Sequence, residues 1–160
     1  GCGPAPALAH MLTETGFTVD LYDSYYVPDK SVLRASYDFI CATEVVEHLH
    51  RPGDELARLW ALLEAGGWLG IMTKLVRDRT AFASWHYKND PTHVCFFSRR
   101  TWQWWAREQG AALEIIGADV ILLETYSRLD EMLFMGVGAA NAVDAHVREL
   151  TTQGQGGVTP

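Results

Sequence analysis

Cysteine is scarce in this chain. Its three residues, Cys2, Cys41 and Cys95, stand far apart and no pair has CxxC spacing. That excludes a disulfide framework and predicts reduced thiols in a cytoplasmic protein. Long apolar runs are also missing. None approaches the roughly 20 residues that a membrane span needs, and the first residues, Gly-Cys-Gly, carry no basic leader, so no signal peptide is expected. Positive charge is the third shortage: 13 Lys and Arg stand against 20 Asp and Glu, a net charge of −7. A surplus of that sign counts against a nucleic-acid surface. No internal repeat is present. What remains is a chain with 48% apolar and 21% charged residues, ordinary for a globular domain with a packed core.

The first residues hold the most specific pattern. Gly1-Cys2-Gly3-Pro4-Ala5 is followed, twenty residues after Gly3, by Asp23 at the end of an apolar stretch. Glycine lets backbone approach a ligand closely, and an acid closing the next strand can accept hydrogen bonds from both ribose hydroxyls of a nucleotide cofactor. A nicotinamide site has the same beginning, but its fingerprint wants a small residue where this chain has Pro6. The motif normally follows a strand. None precedes it here, so the expectation is a sheet whose first strand is absent from the chain.

The remaining pattern alternates helix and strand. A helix is expected over 5–16, stopping at Gly16, then a strand over Thr18–Asp23 and a loop with a weak helical turn over 24–36. Tyr37–Ala42 reads as a buried strand, Glu44–Leu49 as the start of a helix, and Asp54–Leu63 as a helix ended by Gly66-Gly67. A strand follows over Trp68–Thr73. Residues 75–97 have no period and read as an insertion, a substrate lid. Ser98 caps a helix over Arg99–Gln109 that stops at Gly110. Ala112–Ile116 and Val120–Glu124 form a hairpin around Gly117-Ala118-Asp119. Residues 128–150 are expected to be helical and 151–160 a disordered tail. The fold class is therefore α/β: a Rossmann-like, mostly parallel sheet with a C-terminal antiparallel strand. Its domain would span 1–125, followed by a helical extension over 126–150. In such sheets ligands sit beyond the carboxyl ends of the strands. The glycine turn, Asp23, Thr43–His48 and the residues after Thr73 all lie there.

Charge is unevenly distributed. Residues 74–107 hold seven Lys and Arg against two acids, and four of the six tryptophans. A solvated face beside a tryptophan-rich core edge explains this band as well as a pocket for an aromatic or anionic substrate does.

Three segments together resemble class I S-adenosylmethionine-dependent methyltransferases: Gly1-Cys2-Gly3-Pro4, Leu21-Tyr22-Asp23, and Tyr37 through Leu49 with its Thr43-Glu44-Val45-Val46-Glu47-His48 core. Leu62-Leu63-Glu64-Ala65-Gly66-Gly67-Trp68-Leu69 is similar to the segment before that family's fifth strand. Asp90-Pro91-Thr92-His93-Val94 and Phe97-Ser98 resemble its substrate-side loop. Within the family the likeness is to small-molecule enzymes related to the ubiquinone-pathway O-methyltransferases. The resemblance implies methyl transfer from S-adenosylmethionine to a small molecule, at oxygen. It implies that Gly1 and Gly3 pass under the cofactor's methionine part, that Asp23 holds the ribose hydroxyls, that Ser24 approaches the adenine, and that Thr43 lines the pocket. Methylation of a terminal RNA ribose and a truncated, non-catalytic cofactor-binding domain are the alternatives.

Glu44, Glu47 and His48 lie at i, i+3 and i+4, which share one face of a helix. With His93 from the next loop they form a candidate seat for one divalent cation (Mg, Mn or Zn). Such a cation would lower the pKa of a coordinated hydroxyl and create an oxygen nucleophile. Without a metal, His93 is the candidate catalytic base. The oligomeric state cannot be read from the sequence.

Overall fold

Ser98 begins the best-specified element of the fold. A computed structural model of the chain describes residues 1–126, and Gly1–Thr125 form one unit within it. In it the Ser98 side chain accepts from the Thr101 amide, the Thr101 side chain returns the bond, and α4 (Arg99–Gln109) runs until Gly110 turns left-handed at φ 61°. The helix expected over 128–150 and the tail 151–160 lie outside the described residues.

Before it come α1 (Ala7–Glu14), β1 (Tyr37–Thr43), α2 (Pro52–Trp60), β2 (Leu63–Met72), β3 (Leu75–Val76), α3 (Arg79–Ala83) and β4 (Phe97–Ser98); after it come β5 (Ala112–Ile116) and β6 (Val120–Glu124). The main sheet has the order β1-β2-β6-β5. β1 pairs parallel with β2, while β6 runs antiparallel to both its neighbours. Three of its four strands therefore share one direction and the C-terminal strand is reversed, as expected.

The core lies against one face of this sheet. Leu69 faces Leu123 and Ile71 faces Ile121 across the β2–β6 ladder, and all four are fully buried or nearly so. α2 packs on β2, and α4 packs on β4 and β5. Trp102, with no exposed surface, and Phe97 stack beneath them with ring centres 5.0 Å apart. Among the described residues no helix is long and apolar enough to cross a membrane.

Several expectations needed correction. Thr18–Asp23 is not a strand: only Asp23 pairs, in an isolated bridge to Val27. No strand pairs with that segment among the described residues, so it forms no ladder. β1 is not buried on both faces: Phe39 and Cys41 are exposed. Glu44–Leu49 is not helical. Glu44 sits at φ 53°, a left-handed conformation that breaks a helix before it starts, and only Val46–His48 form a 3-10 turn. Gly66-Gly67 do not end α2, which stops at Trp60; they lie inside β2. There a Cβ on Gly67 would come within 2.9 Å of the Glu64 carbonyl and 3.2 Å of those of Tyr37 and Asp38. Glycine is needed for that approach rather than for a helix stop. Residues 75–97 are not one aperiodic loop. They contain α3 and a 3-10 turn at His86–Asn89, and β3 and β4 close them by pairing Leu75 with Phe97 and Val76 with Ser98.

Candidate active site

The glycine turn and Asp23 meet as their spacing implies, though through different atoms. Gly3 turns at φ 63°, and nothing lies within 4 Å of where a side chain on it would project. A Cβ on Gly1 would stand 3.0 Å from Val45 Cγ2, so the turn lies directly against the segment that leaves β1. The amides of Cys2 and Gly3 both donate to Asp23 Oδ2 at 3.0 Å. Those of Tyr25 and Tyr26 donate to Oδ1 at 2.9 and 3.1 Å. These bonds, led by Tyr25, outweigh desolvation and hold the Asp23 carboxyl down at about 2. Four N–H donors fill the four acceptor positions of a carboxylate. Asp23 therefore tethers the glycine turn to the chain after it. Ser24 is exposed at the corner of the same tight turn, and Thr43 ends β1 half-buried opposite Met72.

The residues after Thr43 are positioned by backbone. The Glu44 amide donates to Met72 O at 2.8 Å, which carries the chain across the end of β2. The left-handed Glu44 then aims the 3-10 turn inward, burying Val46 and Glu47 completely. Glu44 itself stays exposed. Between the two carboxylates lies the Tyr87 hydroxyl. It bonds to Glu47 Oε1, lies 3.0 Å from Glu44 Oε2, and approaches Thr73 Oγ1 at 3.4 Å. A phenol has one proton to donate and cannot serve two carboxylates at once. Desolvation, and behind it the charge of Glu47, pushes the Glu44 carboxyl above its usual range despite the bond from Tyr87. Glu44 is thus the member that takes up a proton more readily than a free glutamate. The phenol is likewise pushed upward, first by burial and then by Glu47.

Two histidines complete the group. His48 Nδ1 lies 3.0 Å from Thr92 O, and His93 Nδ1 lies 2.7 Å from Tyr87 O. A carbonyl only accepts, so in each ring Nδ1 is the donor. The amides of Val94 and Cys95 donate to Glu47 O at 2.8 and 3.1 Å, which sews the Asp90–Cys95 loop onto the 3-10 turn. Ligand-type atoms of Glu47, His48 and His93 lie within 4.8 Å of one another. Glu47 Oε2 is buried without a hydrogen-bond partner among the described residues. Of the four expected ligands, the structure groups these three, while Glu44 turns to Tyr87 instead.

Tyr87 escaped the sequence reading as a working residue. Its only signal there was company, Trp85-His86-Tyr87 in the basic, aromatic band. The rule that a buried tyrosine needs a polar partner points to it only once burial is known.

A family model described as a methyltransferase domain matches residues 1–114. Among solved structures, an O-methyltransferase family protein from Burkholderia thailandensis is similar in fold, with a TM-score of 0.50 at 18% sequence identity; the match covers 76% of this chain and 39% of that one. This chain thus spans well under half the length of that relative. No curated protein matches.

Proposed function

The chain belongs to the methyltransferase-domain family, and from that premise we propose that it transfers a methyl group from S-adenosylmethionine to an oxygen of a small molecule. The observation that carries this reading is convergence. The glycine turn rests against Val45, and the segment that Val45 begins delivers Glu47 and His48 beside His93. A cofactor turn and a set of proton- or metal-binding groups therefore meet beyond the carboxyl ends of β1 and β2, where open α/β sheets hold ligands.

Bound S-adenosylmethionine would supply an activated methyl group. Gly1 and Gly3 suit its methionine part, because the turn leaves open space at Gly3 that a side chain would fill. Thr43 and Ser24 would line the pocket. For Asp23 to serve the ribose, the two hydroxyls must take the places of two of its four N–H donors. His93 is the residue we assign to the acceptor. Its Nε2 lone pair takes the hydroxyl proton, and donation from Nδ1 to Tyr87 O stabilises the imidazolium that forms.

A specific observation favours a second reading of the same group. The unpartnered Oε2 of a fully buried Glu47, beside the imidazoles of His48 and His93, with Asp90 Oδ2 lying 3.9 Å from His93 Nε2, is a donor set suited to a divalent cation. A metal there would acidify the acceptor hydroxyl in place of His93. The pattern Glu44-Val45-Val46-Glu47-His48 is why we favour kinship with the ubiquinone-pathway O-methyltransferases. Methylation of RNA is disfavoured by the net charge of −7, whose relief is confined to 74–107. Three free cysteines suit a reducing, cytoplasmic setting.

Calorimetric titration with S-adenosylhomocysteine tests the reading. Saturable binding to the folded chain is expected. Heat on addition of NAD with none on addition of S-adenosylhomocysteine would sink it, and no heat with either would favour a non-catalytic domain.

A further inference from the structure

Tyr87 ties together groups that reach the site from separate parts of the chain. Its hydroxyl holds Glu47 Oε1 from the turn after β1, and also meets Glu44 and Thr73. Its carbonyl takes the Nδ1 proton of His93. Its ring lies on the His93 imidazole, with centres 4.1 Å apart. One residue thereby fixes the orientation of both a carboxylate and an imidazole.

Packing does not account for the hydroxyl. The ring sits among Trp85, Phe96 and His93, and phenylalanine would fill that place equally. Burying a phenol beside two carboxylates is costly unless its bonds are useful. The use is visible at Glu47: with Oε1 occupied by the phenol, the oxygen left without a partner is Oε2. The carboxylate is then held with one oxygen free and cannot rotate without breaking its bond to Tyr87. The residues between β3 and β4 deliver Tyr87 to this point, and the bonds from Val94 and Cys95 to Glu47 O hold the loop that follows.

We propose that Tyr87 is a positioning residue, whose hydroxyl orients Glu47 and whose backbone carbonyl orients His93, so that ligand atoms of Glu47, His48 and His93 are held together. This rests on the reading of those three residues as a cation seat. Groups that hydrogen-bond to a metal's ligands in this way change metal affinity by roughly tenfold to a hundredfold.

The test uses the whole chain, cobalt(II) alone as probe, and Tyr87→Phe. The wild type should bind cobalt with visible d–d bands of a nitrogen–oxygen site. Tyr87→Phe should still melt cooperatively but bind cobalt roughly tenfold to a hundredfold more weakly. Thr73→Val removes another hydroxyl that touches the phenol and should leave the affinity unchanged. Equal affinity in the wild type and Tyr87→Phe overturns the proposal and leaves the cation seat standing. So does loss of cooperative melting in Tyr87→Phe, which makes the hydroxyl a requirement of folding. A wild type that ignores cobalt overturns both, and binding of S-adenosylhomocysteine, measured alongside, separates that result from failure of the methyltransferase reading.

Discussion

Asp23→Asn separates the internal work of the carboxylate from its work on a ligand. The wild-type group accepts four backbone N–H bonds, two on each oxygen. Asparagine keeps one oxygen, which still serves two donors, but turns an NH2 group toward the other two. A hydrogen bond to a charged acceptor contributes about 1.5–3 kcal/mol and a neutral one about 0.5–1.5. Allowing for non-additivity and for water reaching the loosened turn, the loss should be about 2–4 kcal/mol. In a unit of this size that lowers the melting temperature by about 10 °C.

The pH dependence carries the sign. The folded carboxyl is held at about 2, against an ordinary 3.8. Its stabilisation is complete above the ordinary value and disappears as pH falls through about 2. Melts followed by circular dichroism should show the wild type far above Asp23→Asn at pH 7, with the two converging as pH approaches 2. Equal melting at pH 7 would refute the tether. Calorimetry on the same variant asks the second question. If ribose hydroxyls exchange with the amide donors, affinity for S-adenosylhomocysteine falls roughly tenfold to a hundredfold; unchanged affinity in the folded variant removes Asp23 from the cofactor's ligands.

The same structure makes two sharper claims about stability. Gly67→Ala brings a Cβ to 2.9 Å from the Glu64 carbonyl and should cost about 1–3 kcal/mol, read as a lower urea midpoint at constant m. Trp102 has no exposed surface and an indole N–H with no partner among the described residues. Trp102→Ala should therefore cost about 3–5 kcal/mol, whereas Trp102→Phe removes the unpaired donor with part of the volume and should cost under about 2. Equal costs for the two would contradict the assignment.

The elements foreseen from sequence are those whose signals are local. Ser98 and Gly110 bracket α4 by their own side chain and backbone freedom, and Gly117 turns the β5–β6 hairpin at φ 62°. The elements misread are those decided by something distant. Thr18–Asp23 has the composition of a strand but no neighbouring strand to pair with among the described residues. Gly66-Gly67 look like a helix stop, yet Gly67 passes close to the carbonyls of Tyr37 and Asp38 on another strand. β3, α3 and β4 are each too short to show a period, and β3 and β4 exist because they pair with each other across the excursion.

At the site, spacing groups residues on a helix face that the backbone does not form. Glu44, Glu47 and His48 were grouped as one helix face, and a positive φ at Glu44 removes the helix. Glu47 and His48 nevertheless join His93, because the Val94 and Cys95 amides bond to Glu47 O. Glu44 is diverted by a hydroxyl that lies 43 residues further along the chain. Asp23 follows the same logic. Its distance from Gly3 identifies an acid that touches the glycine turn, whether the donors are backbone amides or a ribose diol. What separates those cases is the number of lone pairs still free, and that depends on Tyr25 and Tyr26, whose amides donate because the chain turns sharply between Asp23 and Val27. Residue types and their spacing therefore bound which groups come together. The chemistry left open to them depends on donors recruited by the turn and by the β3–β4 excursion, and Tyr87→Phe and Asp23→Asn each disrupt bonds of that kind.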